Sequence, residues 1–144
     1  MNSLQAIPAL DELLRVLCRS LPAYLADAKP WAQSQSKNQP LRSALDHLVA
    51  DQQRYARLVS EAIVEQGGRP DPGRFAMNFT AKNDLSLEFL RQEMIHQQEQ
   101  DILAIERYAA RLEDVSSLHS LAEEILGNAR GHLDILKETP NAGC

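Results

Sequence analysis

A chain of 144 residues that is 44% hydrophobic and 24% charged has the size and composition of one globular domain with a sizeable core. Its net charge of −5 comes from acids and bases mixed along the sequence, without a basic run or an aromatic-plus-basic cluster, which argues against nucleic acid as a partner. No apolar stretch approaches the roughly 20 residues of a membrane span, the opening MNSLQAIPALDELL lacks the charged start and continuous apolar run of a secretory signal, and the chain reads as cytosolic.

Apolar residues recur at spacings of three and four in four segments and strand-like alternation is missing, which predicts an all-α domain. The first helix is expected over about residues 8–30, from Pro8 as a first-turn residue through Leu10, Leu13, Leu14, Leu17, Leu21, Tyr24 and Leu25 to the break at Pro30, with Pro22 either kinking it or restarting it after Ser20. Cys18 lies inside this pattern and reads as a small buried hydrophobe; Cys144 is a tail residue, and the pair forms neither a disulfide framework nor a CxxC site. The second helix spans about residues 40–66 through Leu41, Leu45, Leu48, Val59 and Ile63, and ends at Gly67 and Gly68, whose freedom at positive φ suits a C-cap. The third, about residues 84–112, is capped by Asn83 or Asp84 and carries Leu87, Leu90, Met94, Ile105 and Tyr108. The fourth, about residues 117–138, carries Leu118, Leu121, Ile125, Leu133 and Leu136 and stops before Pro140.

Connection lengths constrain the topology. The short EDVSS link makes the third and fourth helices antiparallel neighbours. Between the second and third lies GGRPDPGRFAMNFTAKN, 17 residues, far more than a bundle turn requires. Fully extended it reaches about 50 Å, whereas a 25-residue helix is about 37 Å long, so it can run the height of a bundle and leave those two helices parallel. Phe75 and Phe79 within it argue for packing on the bundle over a free surface loop.

Three fragments carry a family resemblance. AEEILGNARGHLDILKE resembles the last helix of ferritin-like proteins of the bacterioferritin and rubrerythrin type; ALDHLVADQQRYARLVSEAIVEQGGRPDPG resembles their second helix in rhythm and in its Gly-Gly ending; DLSLEFL resembles the start of their third. The resemblance implies a ferritin-like four-helix bundle with a long crossover between helices two and three. It also implies a di-iron centre built from a Glu on each of two helices and a Glu-x-x-His on each of the other two. Carried over residue by residue, the Glu and His positions fall on Gln52 and Tyr55 in helix two and on Ala129 and His132 in helix four. In helix three the inward positions are Gln97 or Gln98, with Asp101 one turn on; helix one offers Leu17, Ser20, Leu21 and Tyr24, and no Glu or His. Of the six ligands that the resemblance implies, only His132 stands in place.

Neutral amides and a protonated Tyr supply far less field than carboxylates, so a normal two-metal site is not expected, and the weak alternative is one metal on His132, Asp101 and water. The seam of helix two, positions 41, 45, 48, 52, 55, 59 and 62, turns both Gln52 and Tyr55 inward near mid-height, where Gln98, Asp101 and His132 are expected to meet them as a hydrogen-bonded polar cluster. The same residues lining a small pocket, with His132 as acid–base group and Tyr55 as donor, is the functional alternative. Glu12, Glu61, Glu65, Glu93 and Glu99 read as solvated faces, His47 and His119 as surface or half-buried histidines, and Trp31 as a cap on the core or a dimer contact.

Two functions remain. One is a ferritin-like bundle that has lost most of its di-iron ligands, needs no cofactor, catalyses nothing, and works as a binding or structural protein, with a homodimer through helix packing implied by the relatives. The other is a metal-binding oxidoreductase or iron-handling protein with a non-standard, ligand-poor site and iron as its cofactor.

Overall fold

The computed structural model describes residues 3–28, 39–75 and 87–139. These form five helices and, among the described residues, no strand: α1 (Ser3–Cys18), α2 (Leu21–Ala28), α3 (Gln39–Glu65), α4 (Leu87–Arg111) and α5 (Ser116–Glu138). None of them is long and apolar enough to cross a membrane. The expected starts of the third helix at Asn83 or Asp84 fall outside the described residues, as do Trp31, Phe79 and Cys144.

The first expected helix is two. Ser20 separates them: its hydroxyl accepts the Ala23 backbone N–H at 3.2 Å, which makes it the N-cap of α2. Pro22 then sits in the first turn of α2, where its missing N–H costs no helical bond. At the other end α1 begins five residues before Pro8, which lies inside the helix on its exposed side. The helix extends past the proline because Ala6, Ala9, Leu10, Leu13, Leu14 and Leu17 make one continuous buried stripe. Cys18 is half-buried rather than buried, and burial still pushes its thiol above the ordinary cysteine value.

Helix α3 stops where its glycines require. Gly67 adopts φ +91°, and the Gly68 N–H reaches back to the Ile63 carbonyl at 2.9 Å, the six-to-one bond of a Schellman ending. A side chain at Gly68 would lie 3.0 Å from Ile63 Cγ2 and 3.1 Å from Ile7 Cδ1, so the chain leaves α3 in close contact with α1.

Two apolar clusters give the helix directions. One joins α1 with the C-terminal half of α3 (Tyr55, Val59, Ala62, Ile63), the C-terminal half of α4 (Ile102, Ile105, Ala109) and the N-terminal half of α5 (Leu118, Ala122, Ile125). The other joins Leu21 with the N-terminal half of α3 (Leu41, Leu45, Leu48), the start of α4 (Leu90, Met94) and Leu136 near the end of α5. Helices α3 and α4 therefore run in one direction, and α1 and α5 run against them. The strongest packing is α4 on α5 and α3 on α1, with α1 also against α4 and α3 against α5.

The segment after α3 climbs the outside of α1. Gly68 touches Ile7, the Asp71 carboxylate pairs with Arg15 at 3.1 Å, Arg19 donates to the Gly73 carbonyl at 2.9 Å, and Phe75 packs edge-on against Tyr24 with centroids 5.1 Å apart.

Candidate functional site

The polar residues on the inward faces of α3, α4 and α5 meet between the two apolar clusters. Gln52, Gln98, Asp101, Asn128 and His132 line one small cavity of about 10 Å³, closed on the α1 side by Val16 and Leu17. Gln52, Gln98 and His132 are buried. Four of the five residues expected at the centre are therefore brought together.

Tyr55 is the exception. It is buried in the apolar cluster at the α1 end with Val59 and Ala62, it does not line the cavity, and the Arg54 guanidinium lies 4.3 Å above its ring. A tyrosine one turn beyond Gln52 is long enough to reach past the polar layer, and its ring is better accommodated by aliphatic neighbours than by amides.

Each remaining side chain is held by a specific bond. The Ser20 hydroxyl donates to Gln52 Oε1 at 3.0 Å, so the residue that caps α2 also orients the amide of α3. Gln98 donates through Nε2 to the Ala129 carbonyl of α5 at 3.1 Å, at the very residue where the resemblance implies a Glu. Gln97 donates to Asp101 Oδ1 at 3.1 Å. His132 donates from Nε2 to Asp51 Oδ2 at 2.7 Å, and Asn128 donates to the same oxygen at 2.9 Å. Arg54 approaches the other carboxylate oxygen at 3.7 Å.

The two aspartates respond in opposite ways. The Asn128 bond, then the His132 bond and charge and the nearby Arg54, outweigh desolvation and hold the Asp51 carboxyl below its ordinary value. Asp101 has no such support: burial pushes it up to about 6, opposed only by the Gln97 amide. Two acceptor atoms at this level, Gln98 Oε1 and Asp101 Oδ2, are fully buried and have no hydrogen-bond partner among the described residues.

Asp51 and Asn128 were not expected at the centre, and Ser20 was placed there only as a helix-one position without a Glu or His. The signal for the first two is in the sequence: Asn128 and His132 are four residues apart on α5, so both face the same point on α3, and a carboxylate there satisfies both. For Ser20 the signal is its place before Leu21–Pro22, an N-cap position whose hydroxyl also points at the neighbouring helix.

Two iron ions do not fit this donor set. Among the described residues no group of three or more His, Cys, Asp or Glu side chains is placed to hold a metal ion. His132 and Asp101, the pair weighed above as a weak metal site, are engaged elsewhere: the imidazole Nε2 by Asp51 and one Asp101 oxygen by Gln97. What remains is two amides and a single carboxyl, too little negative charge to replace the water of two multivalent cations. The space itself is about one solvent molecule in size, which leaves no room for an organic substrate against His132. Outside the centre, His47 is exposed and His119 is half-buried, its Nδ1 2.9 Å from the Ala109 carbonyl and its Nε2 3.6 Å from Glu123.

No protein-family model, no curated protein and no solved structure matches this chain.

Proposed function

We propose that this chain is a ferritin-like bundle in which a self-satisfying polar cluster stands where relatives hold metal, and that it acts as a non-catalytic binding or structural protein. The observation that carries this reading is the Asp51–His132–Asn128 triad: the one residue matching a di-iron ligand has its Nε2 tied to a carboxylate instead of aimed at a metal site. A histidine held in this way fixes the register of α3 against α5, which is a structural task. The parallel run of α3 and α4 is the helix order that a long crossover produces, and it supports the family reading at the level of topology alone.

The experiment is elemental analysis of the protein as purified and after anaerobic incubation with ferrous iron, with His132→Ala beside it. Neither protein is expected to retain stoichiometric iron. Retention of one or more irons per chain, lost in the variant, would establish a metal site and end this reading.

Such a protein acts through its surface, and the expected partner is a second copy of the chain. The outward side of α3 supports that choice: Val64 is 60% exposed and Leu58 37% exposed, and Arg57 precedes Glu61 and Glu65 along the same side. A two-fold axis near Glu61 would place Arg57 opposite Glu65 of the copy. Sedimentation velocity is expected to show a dimer that Val64→Asp shifts toward monomer; a monomer at all concentrations would exclude it.

A further inference from the structure

We infer that the cavity at the centre of the bundle is a hydration site for a single water molecule, which bridges the orphaned acceptors of α4 to the polar groups of α3 and α5. The inference rests on the reading that the centre takes no metal, and adds to it what the centre does take.

Size and chemistry agree. The cavity is about 10 Å³, and a site of about 10–15 Å³ is what one water occupies when measured in this way. Buried cavities that stay dry are lined by aliphatic groups throughout; this one mixes aliphatic walls from α1, α3, α4 and α5 with five polar side chains, Gln52, Gln98, Asp101, Asn128 and His132, on three helices. Gln98 Oε1 and Asp101 Oδ2 are both fully buried acceptors with no partner among the described residues. They stand three residues apart on α4 and therefore on one side of it. A water has two protons to donate, one for each acceptor, and two lone pairs left for donors from the opposite wall.

The site also completes a chain of contacts. Ser20 holds Gln52, joining α2 to α3; Asp51 holds His132 and Asn128, joining α3 to α5; Gln98 holds the Ala129 carbonyl, joining α4 to α5. These bonds already link α2, α3, α5 and α4 in series; a water at the two unpartnered acceptors of α4 adds a link from α4 to the α3 wall, and α1 seals the layer with Val16 and Leu17. The layer is then a solvated counterpart of a metal centre, holding helix register through hydrogen bonds.

The test uses metal-free full-length protein, so that it stands apart from the iron experiment. Oxygen-17 magnetic relaxation dispersion counts waters that reside longer than the protein tumbles, and Gln98→Met removes one acceptor while keeping the side chain's length. The wild type is expected to show a long-lived water contribution that falls by one molecule in the variant. An unchanged contribution overturns the inference, as does a wild type with no long-lived water. If Gln98→Met does not fold, the wild type alone decides through water-to-side-chain cross-relaxation at the Gln98 amide protons: a cross-peak with the sign of a bound water supports the site, and its absence overturns it. Iron retention in the separate analysis would remove the premise; loss of the long-lived water with no iron bound would remove only this inference.

Discussion

Replacing Asp101 by asparagine isolates the one buried carboxyl that the centre leaves under-solvated. Its oxygen Oδ2 is fully buried without a partner, Gln97 serves Oδ1, and burial raises the group from an ordinary 3.8 to about 6. The facing groups are His132 and Asn128 from α5, both committed to Asp51, Gln52 from α3, and the aliphatic Val16 and Leu17 from α1; the neighbouring cations, Arg15 of α1 and Arg19 just beyond it, are engaged with Glu12, Asp71 and the Gly73 carbonyl. Between 3.8 and about 6 the folded chain keeps a proton that the unfolded chain has lost. Stability therefore falls as pH rises through that window and is level above it. At about 1.4 kcal/mol per pKa unit, the gap amounts to at most about 3 kcal/mol. Asp51 titrates with the opposite sign: its lowered value makes its contribution present above 3.8 and lost as pH falls. The measurement must accordingly be a difference. Urea unfolding of the wild type and of Asp101→Asn from pH 3.5 to pH 7.5 should give curves that diverge, with the variant gaining on the wild type by about 2–3 kcal/mol between pH 4 and pH 6.5. Parallel curves would show that Asp101 does not titrate between its ordinary value and about 6, and the account of its burial would be wrong.

Asp51→Ala leaves the His132 and Asn128 donors without their shared acceptor and should cost about 2–4 kcal/mol by urea unfolding, with Asp51→Asn recovering part of it. Ser20→Ala removes both the α2 cap and the Gln52 bond, so a loss of about 1–2 kcal/mol is expected, larger than a surface cap alone gives; a loss under about 0.5 kcal/mol would separate Ser20 from the polar layer. Gly73→Ala forces a side chain onto φ +72° and to within 3.2 Å of the Arg15 methylenes, and should lower stability by about 1–2 kcal/mol in thermal unfolding, where Gly127→Ala, helical and in open space, should be neutral or stabilising.

The helical architecture was legible because its physics is local and repetitive. Leu41, Leu45, Leu48, Val59 and Ile63 recur at helical spacing, and each is buried. Gly67 ends α3 at a positive φ that few other residues tolerate, and the described start of the segment beyond it packs on the bundle through Phe75, as its aromatic residue suggested. The start of the first helix was misplaced because proline was read as a boundary, yet Pro8 sits on an exposed side where one missing hydrogen bond is outweighed by the apolar stripe on the other. The restart after Ser20 was one of the two outcomes expected at Pro22, and its hydroxyl bonds both its own helix and Gln52.

At the centre the seam of α3 identified Gln52, and its meeting with Gln98, Asp101 and His132 followed from one turn of helix on each partner. What the seam could not identify was the direction in which each polar group finds satisfaction. Tyr55 has the same inward register as Gln52, but a ring is accommodated by aliphatic neighbours, so it leaves the layer that a shorter amide stays in. Asp51 has a flanking register and would be taken for a solvated acid, yet it reaches sideways because two donors on α5 stand one turn apart and have no other acceptor of comparable strength. Helical periodicity ranks positions by angle; hydrogen bonding then reassigns them by reach and by charge. In a metal-holding bundle the ion would override both by drawing every donor to one point. Here the inner groups are held by bonds to one another, the amides to a hydroxyl and a carbonyl and His132 to Asp51, which is why the two acceptors left over on α4 are the informative atoms of this centre.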